Sequence, residues 1–170
     1  MTDEATDIGI EQLAPQVTAA LRVREPMATV DVGRIFGDAM GRLGARLGSI
    51  GAEPAGPPFA RYHDWGGETA DIEIGFPLAS RPAGLADLAD VPEGEVGASM
   101  LPGGEAAVIV HRGPYPTLGE AYRRLGEWIR ARGREAGEAP WESYLDDPAT
   151  VEAVAALRTA VVWPLAEVRG

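Results

Sequence analysis

The segment APWESYLDDP, residues 139–148, places an acidic side chain among aromatic ones. Glu142 follows Trp141 directly and precedes Tyr144 by two positions. A carboxylate among aromatic rings can pair with a cation, while the rings supply stacking and cation–π contacts. It can also act as a general base when apolar surroundings raise its affinity for protons. A third interpretation is structural: Glu142 is then a solvated strand residue beside a core tryptophan.

A β-strand is the element that we expect to position these side chains. Successive residues of a strand point to opposite faces. Glu142 and Tyr144 therefore share one face, and Trp141 lies on the other, where it is expected to belong to the core.

The chain contains an internal repeat, in which PPFARYHD (57–64) matches APWESYLD (139–146) at an offset of 82 residues. A match of FPLA with WPLA follows downstream at an offset of 87 residues. The order of the matches is preserved, which indicates a duplication. Ala60 occupies the position of Glu142, so only the second half carries the acid.

Both halves have the same predicted order of elements, strand–strand–helix–strand–strand. In the first half the strands are expected near 8–13, 17–24, 57–63 and 70–78, and the helix near 30–47. In the second half the strands are expected near 95–101, 105–113, 139–145 and 158–165, and the helix from about 116 to 132.

Local signals refine the second half. The Pro-Gly-Gly sequence at 102–104 predicts that the two strands around it form a hairpin. Thr117 and Glu120 stand in capping-box spacing, and Gly133 is expected to end the helix.

The predicted fold class is α+β: duplicated ββαββ units with two antiparallel sheets, each covered by a helix, and a central ligand cleft. The chain is interpreted as a single domain of two pseudo-repeats, 8–79 and 95–168, joined by a linker at 80–94. Since a helix covers one face of a sheet, the uncovered faces are expected to meet or to form a groove. If Glu142 binds a ligand or acts as a base, it lies in that groove; if it is structural, it faces solvent. The glycines of the first helix are expected to let it approach its sheet closely; they include Gly33, Gly37, Gly41 and Gly48.

Composition narrows the possible functions. The formal net charge of −11 argues against direct binding of nucleic acid and favours a cationic small molecule or a basic protein as partner. A charge of this size is equally compatible with a role in solubility alone. The chain has no cysteine and no lysine, and its two histidines are His63 and His111. We therefore predict no metal site, no P-loop and no cofactor. No apolar run reaches the roughly 18 residues that span a membrane, and the acidic start is unlike a signal peptide, so a cytoplasmic location is expected.

The ordered set HRGPYPTLGEAYRRLGEWI, APWESYLDDP and LRTAVVWPL resembles the GyrI-like small-molecule-binding domains, also called AraC-type effector-binding domains. The resemblance extends from about residue 8 to 168 and implies a duplicated two-layer fold with a central cleft. It also implies that the glutamate held among aromatics in that cleft is Glu142. In regulators of this family the domain follows a helix-turn-helix region. Because the repeat here begins near residue 8, we expect no such region and no DNA binding by this chain alone.

Three functions follow as hypotheses. The leading one is a stand-alone binder of amphipathic, cationic or aromatic small molecules, in which Glu142 supplies the charge. The expected aromatic walls of its site are Tyr115, Trp141, Tyr144, Tyr62 and Trp65. By family analogy, the second is a hydrolase of cyclopropane-bearing alkylating natural products, with Glu142 aligning water and Tyr115 assisting. The third is an interaction protein whose partner is gyrase or a separate regulator. From its position alone, just before a helix, Tyr115 is more often a residue that only seals the core.

Overall fold

The computed structural model describes residues 7–168, which form eight strands and two α-helices. The strands are β1 (Ile8–Leu13), β2 (Gln16–Pro26), β3 (Phe59–Asp64), β4 (Thr69–Pro77), β5 (Gly97–Leu101), β6 (Gly104–Arg112), β7 (Trp141–Tyr144) and β8 (Arg158–Pro164). The helices are α1 (Val32–Ile50) and α2 (Leu118–Ala131). The mixed α/β class with antiparallel strands is confirmed, whereas the duplication and the division into two sheets stay predictions. No helix within residues 7–168 is long and apolar enough to cross a membrane.

The chain divides into two compact units. The first, called the split unit here, consists of the segment up to Ala14 and the segment from Gly103 onward. The second, called the continuous unit, is Pro15–Pro102. The chain passes from one unit to the other at Pro15 and again after Pro102, two prolines that lie 87 residues apart in the sequence.

In the continuous unit the antiparallel strands follow the order β3-β4-β2-β5. Helix α1 begins after Asp31, whose side chain accepts a hydrogen bond from the Arg34 backbone N–H at 3.0 Å. It ends at Gly51, whose φ of 66° is the left-handed conformation that glycine adopts at little cost. The helix packs on β2 and β4, and its buried residues are Ile35, Ala39, Leu43 and Leu47.

The glycines of α1 do not serve a close approach to the sheet, contrary to expectation. A Cβ atom added at Gly37, Gly41 or Gly48 meets no described atom within 4 Å. The apolar stripe of the helix lies on another face, and the glycines line open surface. Sequence spacing revealed the stripe of small residues but not which side of the helix faces the core.

In the split unit the antiparallel strands follow the order β1-β6-β8-β7. Helix α2 packs on β6 and buries an apolar stripe against the sheet. The buried core consists of Ala107, Ile109, Leu118, Ala121, Leu125, Ile129 and Val161. Gly133, with φ of 67°, follows the helix as predicted, and its N–H donates to the Arg130 carbonyl at 2.9 Å.

Two local predictions for the second half are wrong. Strand β5 pairs with β2 and β6 pairs with β1, so the strands flanking Pro-Gly-Gly do not form a hairpin with each other. The Pro-Gly-Gly turn instead connects one unit to the other. Strand β5 pairs with the longer β2, and β6 pairs with β1. The capping box is absent as well, because the Thr117 hydroxyl donates to the Pro114 carbonyl and Glu120 pairs with Arg123.

Candidate functional site

Glu142 lies on the face of the split unit that α2 covers, and not on an uncovered face. Strand β7 pairs with β8 so that Glu142 stands directly opposite Val161, a residue of the core beneath α2. Directly opposed residues of antiparallel strands project to the same face. The carboxylate is therefore held among core side chains, and Glu142 is only 5% exposed.

Two tyrosine hydroxyls donate hydrogen bonds to this buried carboxylate. Tyr122, from α2, donates to Oε1 at 3.1 Å, and Tyr144, two residues along β7, donates to Oε2 at 2.6 Å. Hydrogen bonds to an ionised acceptor are about twice as strong as those between neutral groups. The pair of donors thus compensates part of the cost of burying the charge.

Aromatic rings surround the carboxylate. The Tyr115 and Tyr144 rings meet edge to face with centroids 5.5 Å apart, and the Tyr122 and Trp163 rings do so at 5.8 Å. Trp163 is fixed in turn by its indole N–H, which donates to the Gly137 carbonyl at 3.0 Å. We call Glu142 and these four aromatic residues the tyrosine–glutamate cluster.

The outer member of the cluster is Tyr115, which is 36% exposed. Burial raises the pKa of its hydroxyl, and the nearby negative charges of Asp147, Asp146 and Glu142 raise it further. All of these charges oppose ionisation of Tyr115 and create a negative potential at this edge of the cluster. Such a potential attracts cations.

Two cross-strand rows define the polar character of the face under α2. In the rim row, Thr159 on β8 stands between His111 on β6 and Tyr144 on β7. In the inner row, Val161 stands between Ile109 and Glu142.

The rows of the continuous unit that the predicted repeat matches to these two are more apolar. There Ile72 stands between Val23 and Tyr62, and Ile74 stands between Leu21 and Ala60. The split unit therefore has polar side chains at three positions where the other unit has aliphatic ones.

The structure brings together some of the predicted site residues. Tyr115 and Tyr144 join Glu142 in the cluster. Trp141 is buried on the opposite face of β7, as alternation predicted. Tyr62 and Trp65 belong to the continuous unit, where their rings meet edge to face at 5.4 Å.

Sequence analysis missed Tyr122 as a member of the site. Tyr122 packs against the apolar core beneath α2, and its hydroxyl is the feature that distinguishes it from the aliphatic residues there. A tyrosine in an otherwise aliphatic core stripe needs a hydrogen-bond partner. The buried carboxylate of Glu142 is that partner.

The RYHDW segment (61–65) contributes to a separate polar group in the continuous unit. The register of β3 against β4 shifts between Tyr62 and Asp64, which is typical of a β-bulge at His63. His63 Nε2–H donates to Glu73 Oε1 at 2.8 Å, and Glu73 is 2% exposed. Within residues 7–168 no group of three or more potential ligand side chains could hold a metal ion.

Comparison with protein-family models confirms the family expected from the sequence. Residues 6–166 match the model described as GyrI-like small molecule binding domain. A search of curated proteins finds no match.

Several solved structures share the fold. The EcmrR chain in a cryo-EM structure of the EcmrR–DNA complex in EcmrR-RPo has a TM-score of 0.76 and 20% identity, over 95% of this chain and 57% of that chain. The present chain thus spans a little over half the length of that relative. A hydrolase from Listeria innocua has a TM-score of 0.62 and 11% identity, over 94% of this chain and 92% of that chain. SAV2435 bound to tetraphenylphosphonium has a TM-score of 0.60 and 10% identity, over 94% of this chain and 93% of that chain. At these identities the likenesses show the fold alone.

Proposed function

Because the chain belongs to the GyrI-like small molecule binding domain family, we propose that it binds small amphipathic molecules that carry a positive charge on an aromatic or apolar body. The observation that carries this proposal is the buried carboxylate of Glu142, held by two tyrosine hydroxyls and surrounded by aromatic rings. A ligand of this kind satisfies both parts of the site, since its charge pairs with Glu142 and its rings stack on the tyrosines.

The energetic argument rests on the low exposure of the charge. Two opposite charges about 4 Å apart interact by roughly 4 kcal/mol at an effective dielectric constant of about 20. Cation–π contact with a tyrosine adds about 0.5–2 kcal/mol when the ligand is desolvated. The net gain is smaller because ligand and carboxylate both lose water. A tenfold to hundredfold preference for a cation over a neutral compound of the same shape is the expected scale.

The cluster favours binding over hydrolysis. Both oxygens of Glu142 accept hydrogen bonds from tyrosines, and such bonds stabilise the charged carboxylate. This arrangement supports an electrostatic role better than a general base that must take a proton from water. Hydrolysis of strained rings with Glu142 and Tyr115, and inhibition of gyrase, stay predictions.

One protein of the same fold agrees with this choice. SAV2435 is bound to tetraphenylphosphonium, an apolar cation of the proposed class, in a protein with the same fold. We therefore choose tetraphenylphosphonium as the test cation and triphenylphosphine oxide as a neutral compound of similar shape.

Isothermal titration calorimetry with these two compounds tests the proposal. We expect Glu142→Gln to weaken the binding of tetraphenylphosphonium at least tenfold and to change the affinity for triphenylphosphine oxide by less than twofold. Glu127→Gln is the matched control, because it removes the same charge from an exposed position of α2. The proposed role of Glu142 would be contradicted if Glu142→Gln lowered the affinity for both compounds equally. It would also be contradicted if Glu127→Gln weakened tetraphenylphosphonium binding as much as Glu142→Gln does.

A further inference from the structure

The rim row of the split unit contains a buried hydroxyl with no partner. Thr159 is 0% exposed, and its Oγ1 makes no hydrogen bond within the part of the chain that the structure describes. An unsatisfied buried hydroxyl destabilises a fold. At the matching place in the continuous unit the residue is Ile72, between Val23 and Tyr62. Packing at this position is therefore compatible with an aliphatic side chain, and packing alone does not explain a threonine.

His111, on one side of Thr159, has a defined hydrogen-bonding role. The Thr117 hydroxyl donates its proton to the Pro114 carbonyl at 2.6 Å. The same oxygen lies 2.8 Å from His111 Nε2, so it accepts from Nε2–H. In the neutral ring the other nitrogen, Nδ1, is then an acceptor. His111 and Thr159 stand directly opposite each other on neighbouring strands, a separation of about 5 Å between Cβ atoms.

Tyr144, on the other side of Thr159, connects this row to the charge. Its hydroxyl donates to Glu142, and its ring contacts the ring of Tyr115. Thr159 has no exposed surface, so a ligand reaches it only after a neighbouring side chain has moved. Tyr115 is the most exposed member of the cluster, and its ring packs against Tyr144, the neighbour of Thr159.

We propose that Thr159, with His111 beside it, forms a hydrogen-bonding subsite for an N–H or O–H group on the ligand whose charge is held at Glu142. The inference rests on the proposed function and narrows the ligand class to cations that also carry a hydrogen-bond donor on the aromatic body. The subsite discriminates because a ligand without that donor leaves the buried oxygen unsatisfied.

Two dyes of equal charge and nearly equal shape provide the test. Rhodamine 6G carries two N–H groups, and its N-ethylated analogue, with four N-ethyl substituents, has none. By fluorescence anisotropy we expect the protein to bind rhodamine 6G about five to ten times more tightly, the size of one hydrogen bond. Thr159→Val, which preserves the shape of the side chain, removes this preference, and Thr159→Ser retains it.

A second buried threonine provides the control. Thr18, in the continuous unit, is also 0% exposed and has no partner for its Oγ1 among the described residues. Thr18→Val and Thr159→Val are both expected to raise the melting temperature, but only Thr159→Val changes the dye preference. Equal binding of the two dyes by the unmodified protein, or a preference that survives Thr159→Val, overturns the subsite and leaves the proposed function in place. No binding of either dye overturns the subsite, and no binding of tetraphenylphosphonium as well overturns the proposed function.

Discussion

Removal of the Tyr144 hydroxyl tests whether the short contact with Glu142 is a strong hydrogen bond. Tyr144→Phe leaves the ring and its contact with Tyr115 in place but deprives Glu142 Oε2 of a donor at 2.6 Å. The carboxylate then loses one of the two tyrosine donors that compensate its burial. A hydrogen bond to a charged group contributes about 1.5–3 kcal/mol to stability. We expect Tyr144→Phe to lower the free energy of unfolding by about 2 kcal/mol.

The same substitution is expected to have a different effect when the charge is absent. In a Glu142→Leu background the charged acceptor at position 142 is gone, so removal of the Tyr144 hydroxyl no longer breaks a charge-assisted hydrogen bond and costs much less. The coupling energy between the two positions is therefore about 2 kcal/mol. Tyr122→Phe gives a smaller coupling of about 1 kcal/mol, because its contact with the carboxylate is longer, at 3.1 Å.

Urea denaturation followed by tryptophan fluorescence measures these values for the four members of each double-mutant cycle. For a chain of this length, 1 kcal/mol corresponds to a shift of about 2–4 °C in melting temperature, which provides a second measurement. A Tyr144–Glu142 coupling below about 0.5 kcal/mol would refute the hydrogen bond as a stabilising contact. Coupling that is larger for Tyr122 than for Tyr144 would refute the ranking by distance.

Two further predictions concern the continuous unit. Gly41→Ala is expected to raise the free energy of unfolding by about 0.5–1 kcal/mol, since the added methyl group meets open space and alanine favours the helix. Gly75→Ala, whose Cβ would lie 2.2 Å from a backbone oxygen of β2, is expected to lower it strongly; urea denaturation of both variants checks the contrast. Burial opposes the charged form of Asp71, but hydrogen bonds from Arg22 and Arg24 prevail and lower its pKa. The ionised Asp71 therefore stabilises the fold above about pH 4, and this stabilisation is lost as the pH falls through the folded-state pKa. We expect Asp71→Asn to make the free energy of unfolding fall less steeply with decreasing pH. An unchanged slope would contradict this prediction.

The sequence predicted the elements of the fold better than their partners. Alternation and helical spacing are local signals, and all eight strands and both helices lie near the predicted positions. Pairing depends on contacts distant in sequence, and Pro102 with its following glycines did not indicate which strands would meet. The same limit explains the error about the glycines of α1. Their spacing is visible in the sequence, but the direction of the core relative to them is not.

The candidate site was predicted in part for a similar reason. Period-two alternation placed Glu142 and Tyr144 on one face, and the hydrogen bond between them confirms this placement. The contribution of Tyr122 depends on how α2 lies across β7, which no local pattern encodes. Thr159 gave no signal by itself, because a threonine in a strand is common and its lack of a partner is visible only in three dimensions.

The two units carry different residues at the positions that the predicted repeat matches. This difference distinguishes residues that the fold needs from residues that it does not need. At the positions of Glu142 and Thr159 the continuous unit has Ala60 and Ile72, in the same cross-strand pairing. A buried carboxylate costs several kcal/mol before its partners compensate, and an unsatisfied hydroxyl costs about 1–3 kcal/mol. Folding of the split unit would proceed at lower cost with the aliphatic residues that its counterpart uses. The fold therefore does not require these polar residues, and their concentration on one face, beside the negative charges near Tyr115, supports the proposed ligand, a cation that also donates a hydrogen bond.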